Sequence, residues 1–359
     1  MKAAVLNAFG APLSVEEVPD PVLGTGEVIV DVAAASVLPY LGEVFSGERQ
    51  YLLTPPAVPG AGSVGRVRAV GPDATRLAPG DWVLCDPTIR ARDHALTPDI
   101  TLQGLTARGE GGLRLQRHFG SGSFAERLLV PTENVFPLGE IDPAEAGRWT
   151  ALVVCLVPYG GLLAGGLQPG ETVLVSGATG NFGSAGVAVA LAMGAARVIA
   201  PGRNEAMLAE LERRFGSRLR TVRLTGNEDE DRERMKEAAP GGIDLVLDLL
   251  PPAAPTTAVR AAAMTVREYG RVVLMGGVGM LGGDPLALPY PWLMRNNVTV
   301  RGQWLCPREA SPRLIELAKA GLLDLTGFEV TEFALDQANE AVAHAAATGG
   351  RFALTALCP

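Results

Sequence analysis

One stretch constrains this chain more than any other. The branched run Thr172-Val-Leu-Val-Ser176 passes into the turn Gly177-Ala-Thr-Gly180-Asn-Phe-Gly183, then into an apolar helical pattern that runs to Met193. A glycine-rich turn between a strand and a helix bares backbone N–H groups, and the helix N-terminus favours negative charge. The runs Arg197-Val-Ile-Ala, Thr221-Val-Arg-Leu, Ile243-Asp-Leu-Val-Leu-Asp and Arg271-Val-Val-Leu-Met repeat the rhythm, with helical patterns between them. One of those helices spans Glu205 to Phe215, entered at Asn204 and stopped by Gly216. Strands alternating with helices build βαβ units and a parallel sheet, to which Val298-Thr-Val-Arg-Gly adds a sixth strand.

The residues before Arg148 have a different texture. Ser63-Val-Gly-Arg-Val-Arg-Ala-Val alternates until Gly71-Pro72, Glu27-Val-Ile-Val-Asp-Val alternates weakly, and Pro79-Gly80-Asp81 turns into Trp82-Val-Leu-Cys. Short strands separated by turns predict a compact, mostly antiparallel β domain. The tail adds two predicted helices, one opening at Ser311-Pro312 with Ser311 as polar cap and Pro312 at the first helical position, and one running from Asp336 to near Gly349.

Composition narrows the function classes. The formal charge of −8 over 359 residues argues against a nucleic-acid surface, which needs clustered basic side chains. Four scattered cysteines, with no CxxC pair, and a start without a signal-peptide core point to reduced thiols and a cytoplasmic location. The apolar run Ala151 to Leu167 contains Pro158 and is short for a membrane span, so it reads as a buried helix. A small-molecule substrate is the expected partner.

From Ala178 onward the turn reads Ala-x-Gly-x-x-Gly, a pyrophosphate-binding fingerprint with alanine in place of its first glycine. Gly177 stands just before it and can supply the turn's flexibility. Gly177, Thr179, Gly180, Asn181, Phe182 and Gly183 are therefore cofactor-binding candidates; the competing reading is a turn that only packs helix on strand. The second strand distinguishes the dinucleotides. An NAD site places an acid there for the ribose hydroxyls, whereas this strand ends Pro201-Gly202-Arg203-Asn204, with no acid before Glu205. Arg203 can pair with a 2′-phosphate, with Asn204 beside it as a further cofactor contact, so NADPH is favoured over the alternative of a solvent-exposed arginine at a helix start.

With these pieces placed, the chain resembles the medium-chain dehydrogenase/reductase superfamily over nearly its whole length. The resemblance is carried by Gly24-Thr-Gly-Glu27-Val, Val58-Pro-Gly60-Ala-Gly62, Pro79-Gly-Asp81-Trp-Val, Gly122-Ser-Phe-Ala-Glu126, Leu167-Gln-Pro-Gly170-Glu-Thr-Val and Gly270-Arg-Val-Val-Leu-Met-Gly276-Gly277. It implies an α/β protein: a GroES-like, β-rich catalytic domain over 1–148 and 303–359, and a doubly wound Rossmann domain over 149–302. It places the active site in the cleft between the domains and suggests a homodimer. It also implies cofactor contacts from Gly276, Gly277, Val278 and Arg351, the last having the alternative of an arginine that merely ends a helix.

Zinc-dependent members carry a ligating cysteine, a ligating histidine and a third ligand at positions that fall here on Leu38, Ala61 and Val153. Cys155 is two residues from the third, and one thiolate cannot hold a tetrahedral zinc. The four-cysteine lobe of those relatives has no counterpart between Thr88 and Gly122. A metal-free site is expected. Tyr40 falls where such relatives carry a proton-relay hydroxyl, and it is either a proton donor or a lining residue. The expected reaction is hydride transfer from NADPH to a quinone, enone or carbonyl, in an apolar pocket to which Trp292, Trp304 and Val153 contribute. The alternatives are NADP-dependent alcohol oxidation and NADPH binding without turnover. His94, His118 and His344 stand apart in sequence and read as surface or packing residues.

Overall fold

The computed structural model describes every residue except His94. The chain packs into two units, one of Met1–Val153, Leu325–Gly349 and Ala353–Pro359, the other of Val154–Asp324 and Gly350–Phe352. The return to the first unit falls at Leu325, later than the 303 drawn from the sequence.

The first unit is built on a mostly antiparallel seven-stranded sheet. Its main path runs Val135–Pro137, Trp82–Cys85, Ser63–Val70, Glu27–Val37, Ala353–Cys358 and Glu329–Ala334, and Arg127–Pro131 pairs off it with Glu27–Val37. The last two strands are parallel to each other, joined through the helix Ala338–Thr348. Sequence patterning showed that helix but neither strand. Ala353–Cys358 lies beside the long strand Glu27–Val37, with Thr355 opposite Val37 and Ala356 opposite Ser36. Such a pairing joins distant parts of the chain, so no local pattern announces it.

The second unit holds a six-stranded, all-parallel sheet. Its strands are β1 (Thr172–Ser176), β2 (Arg197–Gly202), β3 (Leu219–Arg223), β4 (Ile243–Asp248), β5 (Val266–Leu274) and β6 (Thr299–Gly302). Their order is β3-β2-β1-β4-β5-β6, reversing direction at β1. In such sheets ligands bind outside the carboxyl ends of the strands, where the order reverses. Helix α1 (Asn181–Ala192) is apolar around its whole circumference, and Gly183 to Leu191 are all buried. Helix α2 (Glu205–Phe215) starts at Asn204, whose side chain accepts the Met207 N–H at 3.2 Å, and stops at Gly216. The helix Ala310–Lys319 begins one residue before Ser311 and has no side-chain cap, so the polar cap expected at Ser311 is not its start signal.

Pro143–Ala164 is long and apolar enough to cross a membrane, and 78% of an 18-residue apolar window within it is buried inside the protein. The run from Ala151 is core.

Candidate functional site

The turn after β1 is shaped by its glycines. Gly177 adopts φ +84°, a left-handed conformation that side chains resist. Ala178 can therefore occupy the fingerprint's first position: the conformational burden has moved back one residue. Gly183 meets a different demand. A Cβ there would lie 1.9 Å from the Gly177 carbonyl oxygen, so only glycine lets α1 pack this close to the turn. Gly180 is exposed and stands at the N-cap of α1, with its own N–H donated to Gly177 O at 2.9 Å. The N–H groups of the first turn of α1 have no intrahelical acceptor. They are the candidate anion-binding feature, and α1 is long enough to give it a dipole.

The segment Gly350–Phe352 packs on this helix start. Asn181 donates through Nδ2 to Gly350 O at 3.4 Å, and the Phe352 N–H donates to Ser184 Oγ at 3.3 Å. Arg351 is thus placed beside the turn. Its Nε donates to Glu210 on α2, which it would have to share with a phosphate.

At the end of β2, the Thr179 methyl packs against Gly202, joining the turn to the strand that distinguishes the dinucleotides. Arg203 follows and is exposed. Asn204 serves as the helix cap described above. Glu205, the nearest acid, is paired with Arg223, the register partner region of β3. A carboxylate already neutralised by arginine opposes a second phosphate less than a free one would. Gly276, Gly277 and Val278 follow β5 and are half-buried, and the Gly277 N–H donates to Leu250 O at 2.8 Å.

The first unit brings Leu38, Ala61 and Val153 into its core, at 6%, 4% and 8% exposure. The Val153 methyls pack against Gly62, the neighbour of Ala61. Hydrocarbon cannot ligate zinc, so these residues do not fit the metal of zinc-dependent relatives. Among the described residues no group of three or more His, Cys, Asp or Glu is arranged to hold one.

Tyr40 lies just before the helix Leu41–Ser46 and is half-buried. Its ring meets Tyr51 edge-on at 6.3 Å, and the Arg49 guanidinium stands 4.3 Å from its centroid. Glu43 holds Arg49 through Nε at 3.0 Å and Nη2 at 2.8 Å. Burial, and next the Tyr51 phenol, push the Tyr40 hydroxyl above the usual tyrosine range, while Arg49 pulls it back down. The phenol is therefore protonated at any physiological pH. Sequence reasoning missed the Arg49, Glu43 and Tyr51 cluster, because three residues spread over Glu43 to Tyr51 form no recognisable spacing.

The remaining sequence candidates fall in varied surroundings. Trp292 lies against the core around Leu174, Ile199 and Val246, and Trp304 is 44% exposed. The His118 ring lies 2.7 Å from Glu27, and His344 Nδ1 is 3.0 Å from Thr355 Oγ1. His94 lies outside the described residues.

Comparison with known proteins agrees with this geometry. Residues 24–140 match the alcohol dehydrogenase GroES-like domain, and residues 182–320 match the zinc-binding dehydrogenase family. An alcohol dehydrogenase from Rhizobium meliloti (strain 1021) is 30% identical over 331 residues, 89% of each chain. The chain belongs to the medium-chain dehydrogenase/reductase superfamily. An acryloyl-coenzyme A reductase from Metallosphaera sedula is 28% identical over 328 residues, 89% of this chain and 90% of the relative. The alcohol dehydrogenase of Thermus sp. ATN1 has the same fold, with a TM-score of 0.82 at 23% identity, over 100% of this chain and 99% of that one. As a member of the superfamily, this protein is an alcohol-dehydrogenase-like oxidoreductase that binds a nicotinamide cofactor.

Proposed function

We propose that this protein is a metal-free, NADPH-dependent reductase of quinones, enones or carbonyls. The observation that carries the cofactor choice is the end of β2, where Gly202, Arg203 and Asn204 precede any acid and Glu205 is already paired with Arg223. Bound NADPH supplies a hydride. Gly177 to Gly183 hold the pyrophosphate, joined by Arg351; Arg203 pairs with the 2′-phosphate; Gly276 to Val278 complete the binding surface.

Hydride addition leaves an electron pair on the substrate oxygen or on the enolate. In zinc-dependent relatives a metal can stabilise that charge; the hydrocarbon at Leu38, Ala61 and Val153 does not. Tyr40 takes this part by donating its proton, and Arg49 over the ring steadies the phenolate that results. The reductase name of the Metallosphaera sedula relative supports an activated double bond as substrate. The alcohol dehydrogenase relatives support a second reading, NADP-dependent alcohol oxidation by the same residues.

Oxidation of NADPH, followed at 340 nm against a panel of quinones, enones and aldehydes, tests the main reading. Turnover only of alcohols with NADP⁺ would move the conclusion to the second. Binding without any turnover would make the protein a cofactor binder. One zinc per chain by elemental analysis would overturn the metal-free reading.

We also propose that a second copy of this chain pairs along β6. Every residue of that edge strand is exposed, and Tyr290, Met294 and Val300 present apolar surface around it. An open edge with apolar flanks is a template for strand pairing. Light scattering should give twice the chain mass, and a monomer would remove this proposal.

A further inference from the structure

We propose that Asp248 is a proton-binding position of the cofactor site, taking up a proton on Oδ1 when a dinucleotide occupies the turn Gly177 to Gly183, so that cofactor affinity depends on pH. This rests on the reading that the turn holds the dinucleotide.

Asp248 ends β4 and is the register partner of Ser176, the last residue of β1 before that turn. The Leu249 N–H donates to Ser176 O at 3.1 Å, which ties the two strand ends together. The Asp248 side chain is 3% exposed. Its carboxyl accepts the backbone N–H groups of Leu250 and Gly276, yet buried Oδ1 has no hydrogen-bond partner. The fit around the bonded oxygen is close, since a Cβ on Gly276 would lie 2.6 Å from Oδ2. One oxygen is therefore built into the loop after β5, and the other is a buried acceptor left unmatched. An unmatched buried oxygen favours the form that carries a proton there.

The elements around it bring no compensating charge. β1 offers Ser176, the following segment reads Leu249-Leu-Pro-Pro252, the loop after β5 reads Met275-Gly-Gly-Val278, and α1 has no ionisable side chain. The charges of β5 (Arg267, Glu268 and Arg271) stand toward its other end, Arg271 being opposite Leu245. The helix Ala151–Ala164 carries Cys155, whose thiol burial pushes up to about 12, and Tyr159, also raised by burial. Neither titrates near neutrality. Arg260, on the helix Thr256–Ala263 beside β4, is committed to Glu228. Burial raises the Asp248 carboxyl to about 7 against the pull of its two N–H bonds. The second unit contains no histidine.

A pyrophosphate at the adjoining turn brings like charge and disfavours the carboxylate further. The step is a single protonation. One proton passes from solvent to Oδ1, the carboxylate becomes a neutral carboxyl, and no other bond changes. The sign follows: the bound state holds the proton to higher pH than the free state, so affinity is greatest below pH 7 and declines as pH rises through that value.

Calorimetric titration with NADH, which has no ionising 2′-phosphate, reads this directly between pH 6 and 9. NADPH is run alongside. In two buffers of different ionisation enthalpy, the wild type should take up a fraction of a proton per cofactor near pH 7–8, with affinity falling roughly tenfold, the factor that one pKa unit represents. Asp248→Asn should bind with pH-independent affinity and no proton uptake from this group. No uptake by the wild type would overturn the proposal without any variant, and so would a pH dependence that Asp248→Asn retains. If neither NADH nor NADPH binds at any pH, the reading of the turn itself has failed. That is a separate result from binding that is flat with pH.

Discussion

The turn after β1 and the cluster around Tyr40 are both candidate working parts, but they are made differently. At the turn the backbone is the instrument. Gly177 supplies a left-handed residue and Gly183 a missing Cβ, and the first N–H groups of α1 are left without intrahelical acceptors. Around Tyr40 the side chains do everything. In the same unit Leu38, Ala61 and Val153 bring only buried hydrocarbon where the resemblance would put a metal's ligands, and Arg49 and Tyr51 condition the Tyr40 phenol. A binding feature written in backbone geometry stays the same across a superfamily's many chemistries. One written in side chains can be exchanged for another by a few substitutions, and that is where this chain departs from its zinc-dependent relatives.

The sharpest way to break the comparison is to remove the phenol. Tyr40→Phe should cut the turnover rate by roughly 10²–10⁴-fold, the usual contribution of a general acid. NADPH affinity, measured by fluorescence, should stay as in wild type; an unchanged rate would reduce Tyr40 to a lining residue. Next in size is Arg203→Ala, which should weaken NADPH by about 1.5–3 kcal/mol, the range for hydrogen bonds to charged groups, and NADH far less. Equal weakening of both would remove the 2′-phosphate argument.

Gly183→Ala probes the backbone side of the comparison. Its Cβ collides with a carbonyl, so about 1–3 kcal/mol of stability should be lost, as for overpacking elsewhere. Denaturant unfolding reads that loss, and cofactor affinity should fall with it; a stable variant with normal affinity would mean the turn yields easily. The smallest effect is expected from Asn204→Ala. Loss of the cap on α2 should cost about 1 kcal/mol of stability. If NADPH affinity falls as well, Asn204 contacts cofactor in addition to capping.

Much of the second unit was legible in the sequence. Its strands are short and branched, each is followed by a helical pattern, and α2 begins and ends where Asn204 and Gly216 predict. These are local rules of conformation and capping, read over a dozen residues. The first unit was legible only as β-rich. Its strand Ala353–Cys358 escaped notice because its partner, Glu27–Val37, lies more than three hundred residues away in sequence. The Arg49 cluster escaped for another reason: Glu43, Arg49 and Tyr51 lie close in sequence but at no spacing that marks them as a group. Trp292, expected in a pocket, packs part of its surface on the core of the parallel sheet, a contact that an apolar run in sequence does not reveal.

By itself the sequence determined the dinucleotide turn, the absence of ligating side chains at Leu38, Ala61 and Val153, and the basic residue after β2. Each depends on residue identity at a position fixed by local pattern. Tertiary structure decided the rest. It showed why alanine is tolerated at position 178, because Gly177 carries the left-handed conformation. It gave Arg351 a competing partner in Glu210. It left one oxygen of Asp248 buried without a donor beside the turn. Burial and pairing depend on which distant segments meet, and that is settled only when the chain folds.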